Sequence, residues 1–143
     1  MTIHSHIEGE FHGFDGESVF KLDNGQVWQQ SVYKYNYHYA YRPAVVIKPN
    51  STGSYVISIE GMNDTVEVQQ IQIVTEGRIT SKFEGFNHGM KFQFQNGQVW
   101  EQTEGKYKYR YAHLPNAMVI DGVNGRQISV EGVDDLVKVR KVN

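Results

Sequence analysis

Cysteine is absent from the 143 residues, which excludes disulfides, thiolate metal centres and cysteine nucleophiles and leaves the redox compartment open. No apolar run approaches the roughly 18 residues of a membrane span, and Met1 to Glu10 lacks the apolar stretch of a signal peptide. No membrane partner is therefore expected, and a cytoplasmic location is the default expectation. A basic excess is missing as well. Lys plus Arg number 14 against 16 Asp plus Glu, a net charge of −2, which is unlike a typical duplex-DNA binder, although local patches stay open. No Gly-x-Ser-x-Gly, Gly-rich phosphate loop or His-Glu-x-x-His occurs, so catalysis has no candidate constellation and an enzyme is not expected. No window offers an amphipathic helix.

What is present is ordinary in bulk: 39% hydrophobic and 21% charged residues, the composition of a chain that folds. The informative feature is internal. Laid over itself with an offset of 72, the chain places Ile7 to Ile47 on Ile79 to Val119 with 17 of 41 positions identical. The best block is Asn24-Gly25-Gln26-Val27-Trp28 with Gln30, which returns as Asn96-Gly97-Gln98-Val99-Trp100 with Gln102. One deletion then shifts the offset to 71, bringing Glu60-Gly61 onto Glu131-Gly132 and Asp64 onto Asp135. The sequence thus reads as two repeats, 1–75 and 76–143, separated at the polar Thr75-Glu76-Gly77.

Each repeat reads as strands throughout. Val19 to Leu22 alternates, Asn24-Gly25 is a strong hairpin turn, and Val27 to Gln30 returns. Ala44 to Lys48, Tyr55 to Ile59 and Val66 to Ile71 follow, with a single 3₁₀ turn expected at Gly61 to Asp64. Five or six short strands curled by glycines predict an all-β protein of two tandem SH3-like small β-barrels related by internal duplication, since closure removes exposed edges. OB-like barrels, or one joint β-structure, are the alternatives.

The Phe-x-Gly-Phe of Phe11 to Phe14, the Phe-x-Leu-x-Asn-Gly-Gln-x-Trp-x-Gln of Phe20 to Gln30 and the Tyr-x-Tyr-x-Tyr-Ala of Tyr35 to Ala40 recur from Phe83 to Ala112. By these motifs the chain resembles an uncharacterised bacterial family of tandem-repeat small β-barrels. The resemblance spans both repeats and implies no activity.

Tyr33-Lys34-Tyr35-Asn36-Tyr37-His38-Tyr39-Ala40-Tyr41 is the most unusual segment. Alternate residues of an extended chain share a face, so Tyr33, Tyr35, Tyr37, Tyr39 and Tyr41 are expected to form one aromatic row. The second repeat keeps Tyr107, Tyr109 and Tyr111, with Lys106, Lys108 and Arg110 on the opposite face. Such rows either pack inward or present a binding surface. Tyrosine in place of Phe or Val favours a surface, because a buried hydroxyl without a partner costs about 1–3 kcal/mol. The expected function is a non-enzymatic binding module whose partner is a protein or peptide. Single-stranded nucleic acid, stacked on tyrosines and held by cations, is one alternative, and glycan binding or glycan chemistry is another.

Trp28 and Trp100 follow the hairpin turns and suit packing better than ligand stacking. Gln30 and Gln102, two residues further on, either orient a polar ligand or satisfy backbone groups. His4, His6 and His12 lack an acidic third ligand, so no metal and no cofactor are expected. The recurrent carboxylates Glu60/Asp64 and Glu131/Asp135 flank a tight turn, where capping is the bland role and glycoside hydrolysis the sharp one.

Overall fold

The computed structural model describes residues 2–133 and 135–143. The protein is all-β: no helix occurs among the described residues. It divides into two units, Met1–Ile71 and Gln72–Asn143, against an expected boundary at 75/76.

Unit 1 contains β1 (Ile3–His6), β2 (Glu10–Asp15), β3 (Val19–Lys21), β4 (Val27–Gln30), β5 (Tyr35–Tyr41), β6 (Ala44–Pro49), β7 (Tyr55–Ile59) and the first part of β8 (Thr65–Arg78). Its antiparallel ladder runs β1-β6-β7-β8-β4-β3. Unit 2 opens with the second part of β8 and continues through β9 (Phe83–Phe86), β10 (Lys91–Gln93), β11 (Val99–Gln102), β12 (Lys108–Ala112), β13 (Asn116–Gly122), β14 (Gly125–Val130) and β15 (Val137–Lys141). There the ladder order is β8-β13-β14-β15-β11-β10. The strand order of one unit repeats in the other.

Both Asn-Gly hairpins form as the residues dictate. Gly25 and Gly97, each at φ +90°, supply the left-handed turn position that a side chain would strain. Leu22 N–H donates to the Gln26 carbonyl at 3.0 Å and Phe94 N–H to that of Gln98 at 2.8 Å.

The expected closure into barrels is corrected by the structure. In unit 1 the ladder ends, β1 and β3, meet only at an isolated bridge, Ile7 to Leu22. In unit 2 the equivalent bridge is Ile79 to Phe94. The reason is that β2 and β5 leave the ladder and pair with each other as a separate two-stranded ribbon, as do β9 and β12. Also corrected is the 3₁₀ turn at Gly61 to Asp64: the chain makes a single hydrogen-bonded turn, with Met62 N–H donating to the Ile59 carbonyl at 3.0 Å.

Each ribbon covers a core of phenylalanines. Phe11, Phe14 and Phe20 sit with ring centroids 6.1 to 6.2 Å apart, and Phe83, Phe86 and Phe92 repeat this at 6.0 to 6.1 Å, edge-to-face or tilted as ring quadrupoles prefer. Phe11 and Phe14 are three residues apart, and in a regular strand they would point to opposite faces. The irregularity that brings both inward lies between Phe11 and Gly13, where two steps of β2 oppose three of β5. Gly13 takes φ +100° there. A Cβ on Gly13 would lie 2.1 Å from the Asn36 carbonyl oxygen, and one on Gly85 would meet the Lys108 carbonyl oxygen at 1.9 Å. Glycine is the residue that this approach admits.

Gly13→Ala is therefore expected to destabilise the protein by more than 3 kcal/mol, backbone strain of about 1–3 kcal/mol plus the clash. Gly25→Ala, with no atom within 4 Å of its Cβ, should cost only the left-handed strain of about 1–2 kcal/mol. Urea unfolding of the two variants checks the order.

Candidate functional site

The tyrosine strands are built from their inner faces. In β5 the even-numbered residues turn toward the Gly61 to Thr65 segment. Asn36 Nδ2 donates to Asp64 Oδ2 at 3.0 Å, and just before the strand Lys34 Nζ donates to the Thr65 carbonyl at 2.9 Å. His38 lies over Gly61, where a Cβ would come within 3.2 Å of its Nε2. Ala40 packs against the apolar core. With the even positions held inward, the odd ones must face out. Tyr35, Tyr37, Tyr39 and Tyr41 are 51% to 68% exposed, and Tyr33, just outside β5, lies over Gly16. His12 on β2 meets the Tyr39 ring at 5.6 Å.

β12 is held in the same way by different side chains. Lys106 Nζ donates to the Leu136 carbonyl at 2.8 Å, Lys108 Nζ lies 3.4 Å from Asp135, and the Arg110 guanidinium sits 3.3 Å from the Cβ position of Gly132. Tyr107, Tyr109 and Tyr111 point outward at 56% to 69% exposure. The recurrent Asp64 and Asp135 are thus anchors for the tyrosine strands, and Glu60 accepts from the Ala44 N–H at 3.2 Å.

Gln30 and Gln102, 1% exposed each, satisfy backbone. Gln30 Nε2 donates to the carbonyls of Val32 at 3.0 Å and Lys34 at 2.8 Å, and its Oε1 accepts from Gly16 N–H at 3.3 Å. Gln102 Nε2 donates to Glu104 and Lys106 carbonyls at 2.9 and 2.7 Å, and its Oε1 accepts from Asn87 N–H at 2.8 Å. Each amide therefore shapes the loop that delivers the chain into a tyrosine strand.

Trp28 and Trp100 do not offer rings to a stacked ligand as the sequence alone allowed. They are 2% and 0% exposed, and each indole N–H donates at 3.2 Å to the Gln of its own turn, Gln26 or Gln98. The covers differ. Tyr55 meets Trp28 edge-on at 5.3 Å, whereas the Arg126 guanidinium stands 5.9 Å from the Trp100 ring. Sequence reasoning passed over Tyr55 and a groove beside it, because no motif marks them.

Among the described residues no three His, Cys, Asp or Glu side chains converge as a metal site. His6 instead approaches Asp23, and His12 approaches Glu10. Two carboxyls have shifted affinities for protons. The Ser5 hydroxyl, donating at 2.6 Å, then the His6 N–H and the charge of Arg42, hold Asp23 below its ordinary 3.8. Arg140, donating through Nε and Nη2 to Oε1 at 3.0 and 2.7 Å, holds Glu101 below 4.5.

No helix of the described residues is long and apolar enough to cross a membrane. Compared with known protein families, curated proteins and solved structures, the chain matches none.

Gln30→Leu should cost about 2–6 kcal/mol in urea unfolding, since two carbonyls lose their donor at about 1–3 kcal/mol each. A lowered carboxyl pKa contributes stability that is complete above the unfolded value and disappears as pH falls through the folded one. Urea midpoints should therefore fall as pH drops below about 4. Asp23→Asn combined with Glu101→Gln should flatten that acid limb, since neither variant side chain gains a proton over the range.

Proposed function

We propose that this all-β protein is a non-catalytic binding module of two units with matching strand order, whose tyrosine strands dock a protein or peptide partner. The observation that carries the reading is the outward row Tyr35, Tyr37, Tyr39 and Tyr41, more than half exposed at every position. Monomeric proteins rarely leave such contiguous aromatic surface bare without an interaction to cover it. Tyrosine combines large contact area with few rotatable bonds and a hydroxyl that tolerates water, and it is enriched where binding energy concentrates. The ribbon adds a second means of recognition. Among the described residues β5 pairs with β2 alone, so an extended partner segment can add to the free edge of β5 by strand pairing, with alternate side chains set between the rings.

The single-stranded nucleic acid reading draws less support. Lys106 and Lys108 lie on the face opposite Tyr107, Tyr109 and Tyr111 and are spent on Leu136 and Asp135. Cations there do not line a phosphate path beside the rings.

Affinity capture from cell lysate, with and without nuclease, compares the wild type with the Tyr35/Tyr37/Tyr39→Ser variant. Exposed positions away from packing change stability by about 0.5 kcal/mol or less each, so the variant should unfold within about 1.5 kcal/mol of the wild type. The expected result is a nuclease-resistant protein partner held by the wild type and lost, by at least about tenfold in affinity, from the variant. Equal capture by both baits removes the proposal, and nuclease-sensitive capture transfers it to nucleic acid.

A further inference from the structure

Unit 1 carries a groove of about 490 Å³ lined from β4, the turn before β7, the start of β7 and β8. Its position follows from the ladder. At Val68, β8 pairs with Tyr55 of β7 and with Gln30 of β4. From Gln69 to Ile71 the register of β8 is with β4, and from Thr65 to Glu67 it is with β7, so a recess opens between the start of β7 and the Trp28 end of β4. Trp28 and Tyr55 supply its aromatic wall, and Gln26, Ser54, Glu67 and Gln70 are among its polar lining.

The polar groups have capacity to spare. Gln26 Oε1 accepts from Trp28 and Asn24, but among the described residues its Nε2 has no partner, nor do the side chains of Ser54, Glu67 and Gln70. Amides and hydroxyls both donate and accept, which matches a ligand whose own groups do both. No Lys or Arg lines the groove, and its one charged group is the Glu67 carboxylate, an arrangement that repels anions. The electron-rich ring faces attract weakly polarised C–H groups. The volume falls within the roughly 300–1,000 Å³ of small-molecule sites, which combine apolar walls with a few placed polar groups.

We infer that this groove binds a neutral saccharide, with its C–H face toward Tyr55 and its hydroxyls on Gln26, Glu67 and Gln70, beside the edge of Trp28. The site belongs to unit 1 alone. At the offset of 71, Tyr55, Glu67, Gln69 and Gln70 are replaced by Arg126, Lys138, Arg140 and Lys141, and Arg126 occupies the approach to Trp100. The inference is independent of partner docking at the tyrosine strands.

The test is an NMR titration of the full chain with maltose, cellobiose, lactose and N,N′-diacetylchitobiose, with glucose 6-phosphate as the charged control. The Trp28 and Trp100 indole N–H signals are read separately. The expected result is that at least one neutral disaccharide shifts Trp28 saturably, with Kd of about 1 mM or tighter, while Trp100 stays still. Two variants follow: Tyr55→Ala, and the exposed Gln69→Arg/Gln70→Lys pair, which imports unit 2 residues without touching the core. Either should weaken binding at least about tenfold. No shift of Trp28 with any neutral sugar, equal shifts of both tryptophans, tighter binding of glucose 6-phosphate, or unchanged affinity in the folded Gln69→Arg/Gln70→Lys variant would each overturn the inference.

Discussion

The contact on which each unit depends is the approach of two backbones at Gly13 and Gly85. There a carbonyl of the tyrosine strand occupies the space that a Cβ would need. That approach lets the short ribbon turn both phenylalanines of Phe-x-Gly-Phe into one core, and it sets the tyrosine strand close over the ribbon. It also removes β2 and β5 from the main ladder, as it does β9 and β12. The open edge of β5 and the incomplete closure of the sheet are thus two results of one packing solution. A larger residue at either glycine would have to separate the strands.

Polar groups then decide which way the tyrosines face. Asp64 and Asp135 draw in the residues at 36 and 108, while the buried amides of Gln30 and Gln102 tie down the preceding loops. The charges and amides that look available for ligands in a linear reading are largely committed to holding the chain.

The two units share a frame and differ at its surface. Both place a tryptophan after the hairpin turn and bond its N–H to a glutamine of that turn. Above the ring one unit has Tyr55 and the other Arg126. The aromatic cover leaves a recess lined by no cation and the guanidinium brings positive charge, so corresponding places in the two strand orders offer different chemistry.

Strands and hairpins were legible because they rest on local rules: alternation and Asn-Gly turns. Alternation also separated the tyrosines from their neighbours onto two faces. It could not say which face is inner, since that depends on Asp64 and Gly61, which lie well over twenty residues further along the chain than Asn36 and His38. Closure was read wrongly because glycines that curl a sheet and glycines that admit a neighbouring backbone look alike in sequence. The groove beside Tyr55 was not read at all, because its walls come from separate strands and no local pattern joins them. The sequence by itself therefore determined the all-β class, the turn positions and the tyrosine periodicity, all consequences of near-neighbour geometry. Only the tertiary structure decided what is exposed, because exposure is set by which distant backbone and carboxylate arrive on the other side.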